Sequence, residues 1–209
     1  MANKADIYKE RSKKYFDKIS DKYFDTWDGK YSSGIYEELI KVIRLHSFQS
    51  VLDVGCGTGT LLEMIIREFD DIRAAGLDIS EKMIEKAEEL LGDQVQLIVG
   101  DSENLPWHDS SFDLLICNSS FHHYPKPANV LGEMKRVLKP DGRLVISDPW
   151  WTKPTRWLAN LCIHTPFNYG GDVRIYDRED ISGLLTEAGF RSVEWTIQLK
   201  KYYIATANK

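Results

Sequence analysis

A glycine-rich stretch at residues 51–60 carries the strongest chemical signal in the sequence. It reads VLDVGCGTGT, an apolar run followed by Gly55, Gly57 and Gly59. Glycine lets the backbone approach a ligand closely and adopt positive φ angles, and a helix that begins there offers free N–H groups to a carboxylate or phosphate. The stretch is therefore typical of a ligand-binding loop between a buried strand and a helix. A loop that is rich in glycine for tight packing alone is the competing interpretation.

Two acidic residues follow at the ends of later predicted strands. Asp78 stands 19 residues after Gly59, where a carboxylate can accept hydrogen bonds from two ribose hydroxyls. Asp101 follows the next strand and can accept a hydrogen bond from an adenine amino group. Because the carboxyl ends of parallel strands meet in one crevice, the sequence predicts a site for an adenosine-bearing ligand. Thr60 departs from the glycine pattern of dinucleotide sites, which disfavours NAD.

The elements that must position these residues are visible in the hydrophobic periodicity. Short apolar runs predict strands at 51–54, 72–79, 95–99, 112–117 and 144–147, with a turn at 140–142. Helical spacing, capping residues and glycine stops predict helices at 35–46, 58–69, 80–92, 127–138 and 177–189. Segments 191–198 and 201–207 are β-rich, and their short join requires an antiparallel pair. We expect an α/β fold with a doubly wound, mostly parallel sheet that ends in an antiparallel hairpin.

We expect a single domain over residues 1–209. Its four segments are an N-terminal helical flap at 1–34, a cofactor-binding core at 35–148, a lid or substrate insertion at 149–176, and the last helix and hairpin at 177–209. Eight of the 24 aromatic residues lie before residue 37, and three tryptophans mark the insertion. Long connections inside compact domains are often lids that close over a ligand. Packing of these rings onto the sheet is the alternative.

Composition narrows the class of protein. A chain that is 43% hydrophobic and 28% charged is neither disordered, collagen-like nor a coiled coil. A net charge of -5 argues against broad electrostatic binding of nucleic acid or of anionic membranes. No apolar run approaches the roughly 18 residues that a membrane span needs, and three scattered cysteines indicate reduced thiols. We expect a cytoplasmic protein without a nucleic-acid partner or stable membrane association; its oligomeric state stays open.

In these motifs the sequence resembles the class I S-adenosylmethionine-dependent methyltransferases, and within them the branch of ubiquinone/menaquinone methyltransferases and their small-molecule relatives. The resemblance covers about residues 50–148 and rests on VLDVGCGTGTLL, GLDIS, GDSENLPWHDSSFDLLICNSSFHHY and EMKRVLKPDGRLVISD. It implies a Rossmann-like methyltransferase fold with a seven-stranded sheet, S-adenosyl-L-methionine as cofactor, and in-line methyl transfer to a small-molecule acceptor. Alternatives are a regulatory or scaffold protein that binds the cofactor without catalysis and, more remotely, an NAD(P) oxidoreductase.

The resemblance also implies roles for single residues. The glycines would back the methionine part of the cofactor, Asp78 would hold the ribose, and Asp101 would address the adenine. Asn118 would lie beside the cofactor's amino acid or the methyl group, and Tyr23 of the flap is expected to touch cofactor or acceptor. The candidate cofactor-binding residues are Tyr23, Asp53, Gly55, Cys56, Gly57, Gly59, Asp78, Ile79, Met83, Asp101, Ser102, Glu103 and Asn118.

Candidates for a catalytic base are few. His123 and Asp148 come first and His122 and His164 behind them, with packing or capping as the alternative role for each. Adjacent histidines lack metal-ligand spacing on a helix or a strand, so we expect no metal site and a transfer that needs no metal ion. The residues after the fourth strand, Asn-Ser-Ser-Phe, lack the prolines typical of enzymes that methylate amino groups of nucleic acids or of protein glutamine.

Overall fold

The computed structural model describes residues 3–163, 165, 168 and 170–209. The strands are β1 Ser50–Val54, β2 Arg73–Asp78, β3 Val95–Val99, β4 Phe112–Asn118, β5 Leu138–Pro149, β6 Arg191–Gln198 and β7 Tyr202–Asn208. They form one seven-stranded sheet in the order β3-β2-β1-β4-β5-β7-β6. The first five strands run parallel, and β7 lies antiparallel to both β5 and β6. The predicted sheet with its C-terminal hairpin is confirmed.

Helices cover both faces of this sheet. They are α1 Lys4–Ile19, α2 Trp27–Ser33, α3 Tyr36–Ile43, α4 Thr60–Glu68, α5 Glu81–Leu91, α6 Pro127–Val137, α7 Lys153–Ile163 and α8 Arg178–Glu187. As predicted, Ser80 caps α5, and Asp177 caps α8 through a capping box. No helix in the described ranges is both long and apolar enough to cross a membrane.

The alternation of side chains along the central strand β4 explains the two layers of helices. Leu115 and Cys117 point into a core formed with α6, α8 and the hairpin. Leu114 and Ile116 point to the opposite face, where α3, α4 and α5 complete a second core. Because successive side chains of a strand alternate between faces, the uninterrupted apolar run at 114–117 of β4 must be covered on both sides.

Two features differ from the sequence expectation. The predicted turn at 140–142 lies inside β5, where the pairing with β4 steps from Phe112↔Leu138 to Leu114↔Arg143. The strand therefore begins six residues earlier than predicted, and Asp141 absorbs the irregularity at a φ of 63°. The insertion contains α7, which the periodicity did not predict because Ile163 alone among its residues is buried.

The N-terminal flap lies across the carboxyl ends of β1, β2 and β4. It comprises α1, a 3-10 segment at Ser20–Asp25 and α2. The Ser80 hydroxyl donates a 2.7 Å hydrogen bond to Asp17 of the flap. At its other end, the Tyr202 hydroxyl of β7 donates a 2.7 Å hydrogen bond to the carbonyl of Tyr31. The flap is thus attached to both halves of the sheet.

Gly59 fixes how closely α4 approaches α5. It has a φ of 78° at the N-terminus of α4, and a Cβ there would lie 2.7 Å from Leu91 Cδ1 and 3.0 Å from Ala87 Cβ. A side chain at this position would therefore strain the backbone and separate the two helices.

We expect Gly59→Ala to lower the free energy of unfolding by at least about 1–2 kcal/mol, because L-residues are disfavoured at this φ. Gly132→Ala in α6 is the matched control, since a Cβ at Gly132 meets no described atom within 4 Å. That change should raise stability by about 0.5–1 kcal/mol, as expected for glycine inside a helix. Urea titrations of both variants measure the difference, and equal effects would refute the packing role of Gly59.

Candidate functional site

A cleft with about 900 Å³ of free space, partly open to solvent, lies between the flap and the carboxyl ends of the parallel strands. Most of the residues that the sequence singled out line it: Tyr23, Asp53, Gly55, Cys56, Gly57, Asp78, Ile79, Met83, Asp101, Ser102, Asn118 and His123. The lining also includes residues that the sequence analysis missed. Four of them belong to the flap, and the fifth lies just after it in the chain: Lys9, Ser12, Phe16, Ser32 and Tyr36. No local pattern marks these five, because they reach the cleft only through the packing of the flap.

The glycine loop is held by the end of β2. The backbone N–H groups of Gly55 and Cys56 donate to the carbonyl of Leu77 at 2.7 and 3.0 Å. A Cβ at Gly55 would lie 2.1 Å from the Ser120 hydroxyl oxygen, whereas a Cβ at Gly57 would meet open space. Gly55 is therefore required by close packing, and Gly57 leaves room for a ligand at the wall of the cleft.

Asp78 ties the loop to the start of α5. Its two carboxylate oxygens accept hydrogen bonds from the backbone N–H groups of Gly57 and Ser80, both at 2.9 Å. Burial raises its pKa, and the backbone hydrogen bonds act in the opposite direction. The residue therefore shapes the cleft in addition to lining it.

Asp53 is a buried acid at the end of β1. Its Oδ1 atom has no hydrogen-bond partner within the described part of the chain. Burial and the nearby charge of Asp78 raise the pKa of Asp53 to about 8. An unpaired buried carboxyl of this kind is rare in folded proteins, and it marks a place where a ligand can supply the missing donor.

Asn118 and Tyr23 connect the cleft to the flap. The Asn118 amide donates to the carbonyl and hydroxyl oxygens of Ser32 in α2, at 3.3 and 3.1 Å. Asn118 Oδ1 is buried without a partner among the residues described. Burial raises the pKa of Tyr23 to about 12, so its hydroxyl keeps its proton at neutral pH.

Lys9 of the flap pairs with two of the predicted residues. Its ammonium lies 2.6 Å from both Asp101 and Glu103. Glu103 also lies 3.4 Å from Lys126. Of the described candidate residues, four do not line the cleft: Gly59, Glu103, His122 and Asp148. Glu103 thus holds the flap, whereas Asp101 lines the cleft.

A second and larger cavity, with about 1740 Å³ of free space that is partly open to solvent, adjoins the first. The flap and the insertion supply its mainly apolar walls, which include Tyr15, Trp27, Tyr31, Trp151, Leu158, Ala159, Cys162 and Ile163. Four residues line both spaces: Phe16, Tyr23, Ser119 and His123. The two cavities therefore share a common wall.

The candidate bases meet at this wall. His122 Nδ1 lies 3.0 Å from Asp148 Oδ1, and Asp148 is fully buried behind it. Burial acts to lower the pKa of His122, but the charge and hydrogen bond of Asp148 raise it to about 9. Burial and the charge of His122 lower the pKa of His123 to about 3. His164 lies outside the described residues.

The raised pKa of Asp53 predicts a pH-dependent stability. The folded protein keeps this proton up to about pH 8, whereas the unfolded chain releases it near 3.8. The folded state binds more protons in between, so stability should fall as the pH rises from about 4 to 8. Asp53→Asn cannot ionise and should reduce this fall, and the exposed Asp93→Asn should leave it unchanged. Urea midpoints between pH 5 and 8 measure the effect; parallel profiles for wild type and Asp53→Asn would contradict it.

Comparisons with known proteins agree with this architecture. Residues 45–189 match a family model described as a methyltransferase domain. A demethylmenaquinone methyltransferase from Thermotoga maritima is 37% identical over 142 residues, which cover 66% of this chain and 61% of the relative. A 27-O-demethylrifamycin SV methyltransferase from Amycolatopsis mediterranei is 34% identical, with 54% and 43% covered. The chain spans about three fifths of the length of the demethylmenaquinone methyltransferases that it matches.

Solved structures share the fold. A SAM-dependent methyltransferase from Thermotoga maritima superimposes with a TM-score of 0.71 at 21% identity, covering 93% of this chain and 98% of the other. A SAM-dependent methyltransferase from Aquifex aeolicus gives 0.66 at 23% identity, covering 83% and 88%. The resemblance drawn from the motifs is confirmed, and the chain belongs to the methyltransferase-domain family.

Proposed function

We propose that this protein binds S-adenosyl-L-methionine in the first cleft and transfers its methyl group to a small-molecule acceptor held in the second cavity. One observation carries the proposal: the cleft lined by the glycine loop shares a wall, formed by Phe16, Tyr23, Ser119 and His123, with the larger apolar cavity. Methyl transfer requires two ligands in contact, and two adjoining cavities provide for that.

The residues of the cleft fit this cofactor. Asp53 and Asn118 each present a buried oxygen without a partner in the described ranges, and these atoms can accept hydrogen bonds from an amino group. The open space at Gly57 allows a ligand to approach the backbone. Asp101, whose side chain is 39% exposed, keeps accepting capacity beside its pair with Lys9. The bound cofactor supplies an activated methyl group on a sulfonium.

The protein itself must position the acceptor against the methyl group and exclude water. Holding two reactants in a productive geometry can contribute up to about 7–11 kcal/mol to catalysis. The flap, attached through Ser80 at one end and Tyr202 at the other, covers both cavities and keeps water from the shared wall. Of the two leading candidate bases, His123 lines the cavities, but its pKa of about 3 makes it a weak proton acceptor. The proposed reaction therefore depends on positioning more than on a base.

The walls of the second cavity favour an apolar, ring-bearing acceptor. Trp27 and Tyr31 stack with their centroids 4.7 Å apart on one side, and Trp151 and Leu158 line the other. Aromatic and aliphatic walls of this kind bind apolar ligands by burying their surface. The demethylmenaquinone methyltransferases and the 27-O-demethylrifamycin SV methyltransferase among the relatives are named for small-molecule acceptors, which supports a small molecule over nucleic acid.

Calorimetry tests the cofactor. We expect S-adenosylmethionine and S-adenosylhomocysteine to bind and NAD to give no heat. Hydrogen bonds to a charged group contribute about 1.5–3 kcal/mol each, so Asp78→Ala should weaken S-adenosylmethionine roughly 10-fold or more. The exposed Asp93→Ala is the matched control and should bind as the wild type does. Binding of NAD without S-adenosylmethionine would refute the proposal, and unchanged affinity in Asp78→Ala would remove Asp78 from the site.

A cavity-filling variant tests the acceptor site. Ala159 of α7 lines the second cavity and not the first. Ala159→Trp should therefore abolish formation of S-adenosylhomocysteine with apolar ring-bearing acceptors while the affinity for S-adenosylmethionine stays within about twofold. Ala128→Trp on the exposed side of α6 is the control and should keep turnover. Equal turnover in both variants would place the acceptor elsewhere, and no turnover with any acceptor class in the wild type would favour a non-catalytic binding protein.

A further inference from the structure

We propose that His122 Nε2, His123 Nδ1 and Asp172 Oδ1 bind a divalent transition-metal ion at the wall of the second cavity. All three residues line that cavity. The ion would be held by the chain's own side chains, so the proposal stands independently of methyl transfer.

The spacing of the three atoms suits one small ion. They all lie within 4.8 Å of one another. Asp172 Oδ1 is 3.3 Å from His123 Nδ1 and 3.7 Å from His122 Nε2. Metal–ligand bonds of about 2.0–2.2 Å in tetrahedral geometry place ligand atoms roughly 3.4 Å apart. The observed separations need only small side-chain adjustments to reach that geometry.

The local fold explains why adjacent histidines converge. They lie in a 3-10 turn at Phe121–His123, and their ring centroids are 4.1 Å apart. The sequence argument against a metal site considered only a regular helix or strand, where neighbouring side chains diverge. The turn after β4 places both rings on one side, toward Asp172.

A buried carboxylate orients the first histidine. His122 Nδ1 is hydrogen-bonded to Asp148 at 3.0 Å, which leaves Nε2 facing Asp172. In metal sites, ligating histidines almost always use their other nitrogen in this way, because the partner fixes the tautomer and the ring orientation. The function of buried Asp148 follows from this arrangement: it is a positioning residue for His122.

The second histidine brings an unpartnered nitrogen close to the same carboxylate oxygen. His123 makes a hydrogen bond with the backbone of Gly171. Its Nδ1 atom is buried without a hydrogen-bond partner in the described segments, although Asp172 Oδ1 lies 3.3 Å away. A neutral imidazole nitrogen and a carboxylate oxygen this close together are both atoms that divalent transition metals accept as ligands. A metal ion satisfies both atoms at once.

Asp172 is held in place for this role. Its backbone N–H donates to Asn168 Oδ1 at 3.1 Å, and its carbonyl accepts from Asn168 Nδ2 at 2.6 Å. The next residue, Val173, donates its N–H to the carbonyl of His122 at 2.8 Å. The segment that carries Asp172 is thus hydrogen-bonded to the turn that carries both histidines.

The donor set selects the class of metal. Two imidazoles and one carboxylate favour Zn²⁺, Co²⁺, Ni²⁺ or Fe²⁺ over Mg²⁺ and Ca²⁺, which prefer oxygen ligands. Three protein ligands leave at least one coordination position of the metal ion free for water or another ligand, as in catalytic metal sites. Because the ligand atoms line the second cavity, that position faces the space where a small molecule would bind.

Cobalt binding by the whole 209-residue chain after treatment with a chelator tests the proposal. We expect one equivalent of Co²⁺ to produce visible d–d absorption bands, and Zn²⁺ to abolish them by competition. His123→Gln and Asp172→Asn each remove one ligand from a different segment and should weaken binding at least tenfold. Asp148→Asn should weaken it roughly 10–100-fold, as for other partners of metal-bound histidines. The exposed His46→Gln and His108→Gln are matched controls and should bind cobalt as the wild type does.

Three results would overturn the site. The first is wild-type protein that gives no absorption bands with one equivalent of Co²⁺. The second is an affinity for Co²⁺ in His123→Gln and Asp172→Asn that equals that of the wild type. The third is loss of Co²⁺ binding in the controls His46→Gln and His108→Gln. Near-ultraviolet circular dichroism of each variant verifies that it is folded. If one ligand variant is not folded, the other and the wild-type titration decide, since their substitutions lie in separate segments. Binding of S-adenosylmethionine is measured in the same samples, so failure of the metal site is distinguishable from failure of the proposed function.

Discussion

The carboxylate of Asp78 is the contact on which the carboxyl edge of the sheet depends. It joins the glycine loop through Gly57 and the start of α5 through Ser80. Ser80 in turn donates to Asp17, which attaches the flap. A buried carboxylate is costly unless it is hydrogen-bonded, and two backbone N–H groups offset that cost here. The loop, the helix and the flap are therefore positioned by one group.

The flap shows how one segment serves two cavities. Phe16 and Tyr23 line both spaces, and the ring of Phe16 packs edge-on to His123 at 5.3 Å. The Lys9 pair with Asp101 and Glu103 attaches the same helix to the loop after β3. Because the Phe16 ring and the ion pairs lie on one helix, α1, the contacts that pack this helix onto the sheet also form part of the lining of the cleft. The two interpretations of the N-terminal aromatics are thus not exclusive in this protein.

Buried titratable groups with shifted pKa values are concentrated around the cavities. Asp53 and Asp78 are both buried, burial raises the pKa of each, and the charge of Asp78 raises that of Asp53 further. Their environment favours a ligand that brings a positive group or a donor. Beside the second cavity, Asp148 is hydrogen-bonded to His122, and Asp172 lies near both imidazoles. The pKa shifts of the two histidines go in opposite directions. Titratable groups with strongly shifted pKa values occur more often at functional sites than in structural cores.

The sequence by itself determined the mostly parallel sheet with its C-terminal hairpin, the succession of strands and helices along the chain apart from α7, and the residues of the glycine loop. These features depend on short-range periodicity and on turn chemistry. The sequence also placed Asp78 and Asp101 at one edge with the glycine loop, since parallel strands end together, and the family resemblance added Asn118. Only the tertiary structure decided that Lys9 and Phe16 line the cleft and that Glu103 holds the flap, because these contacts join residues far apart in the chain. The same holds for Asp148, which lies beside His122, and for Asp172, which meets two histidines about 50 residues earlier. Neither side chain carries a local pattern that predicts its partner. Those contacts arise where the insertion after β5 folds back onto the turn after β4, and hydrophobic periodicity contains no information about where such a segment returns.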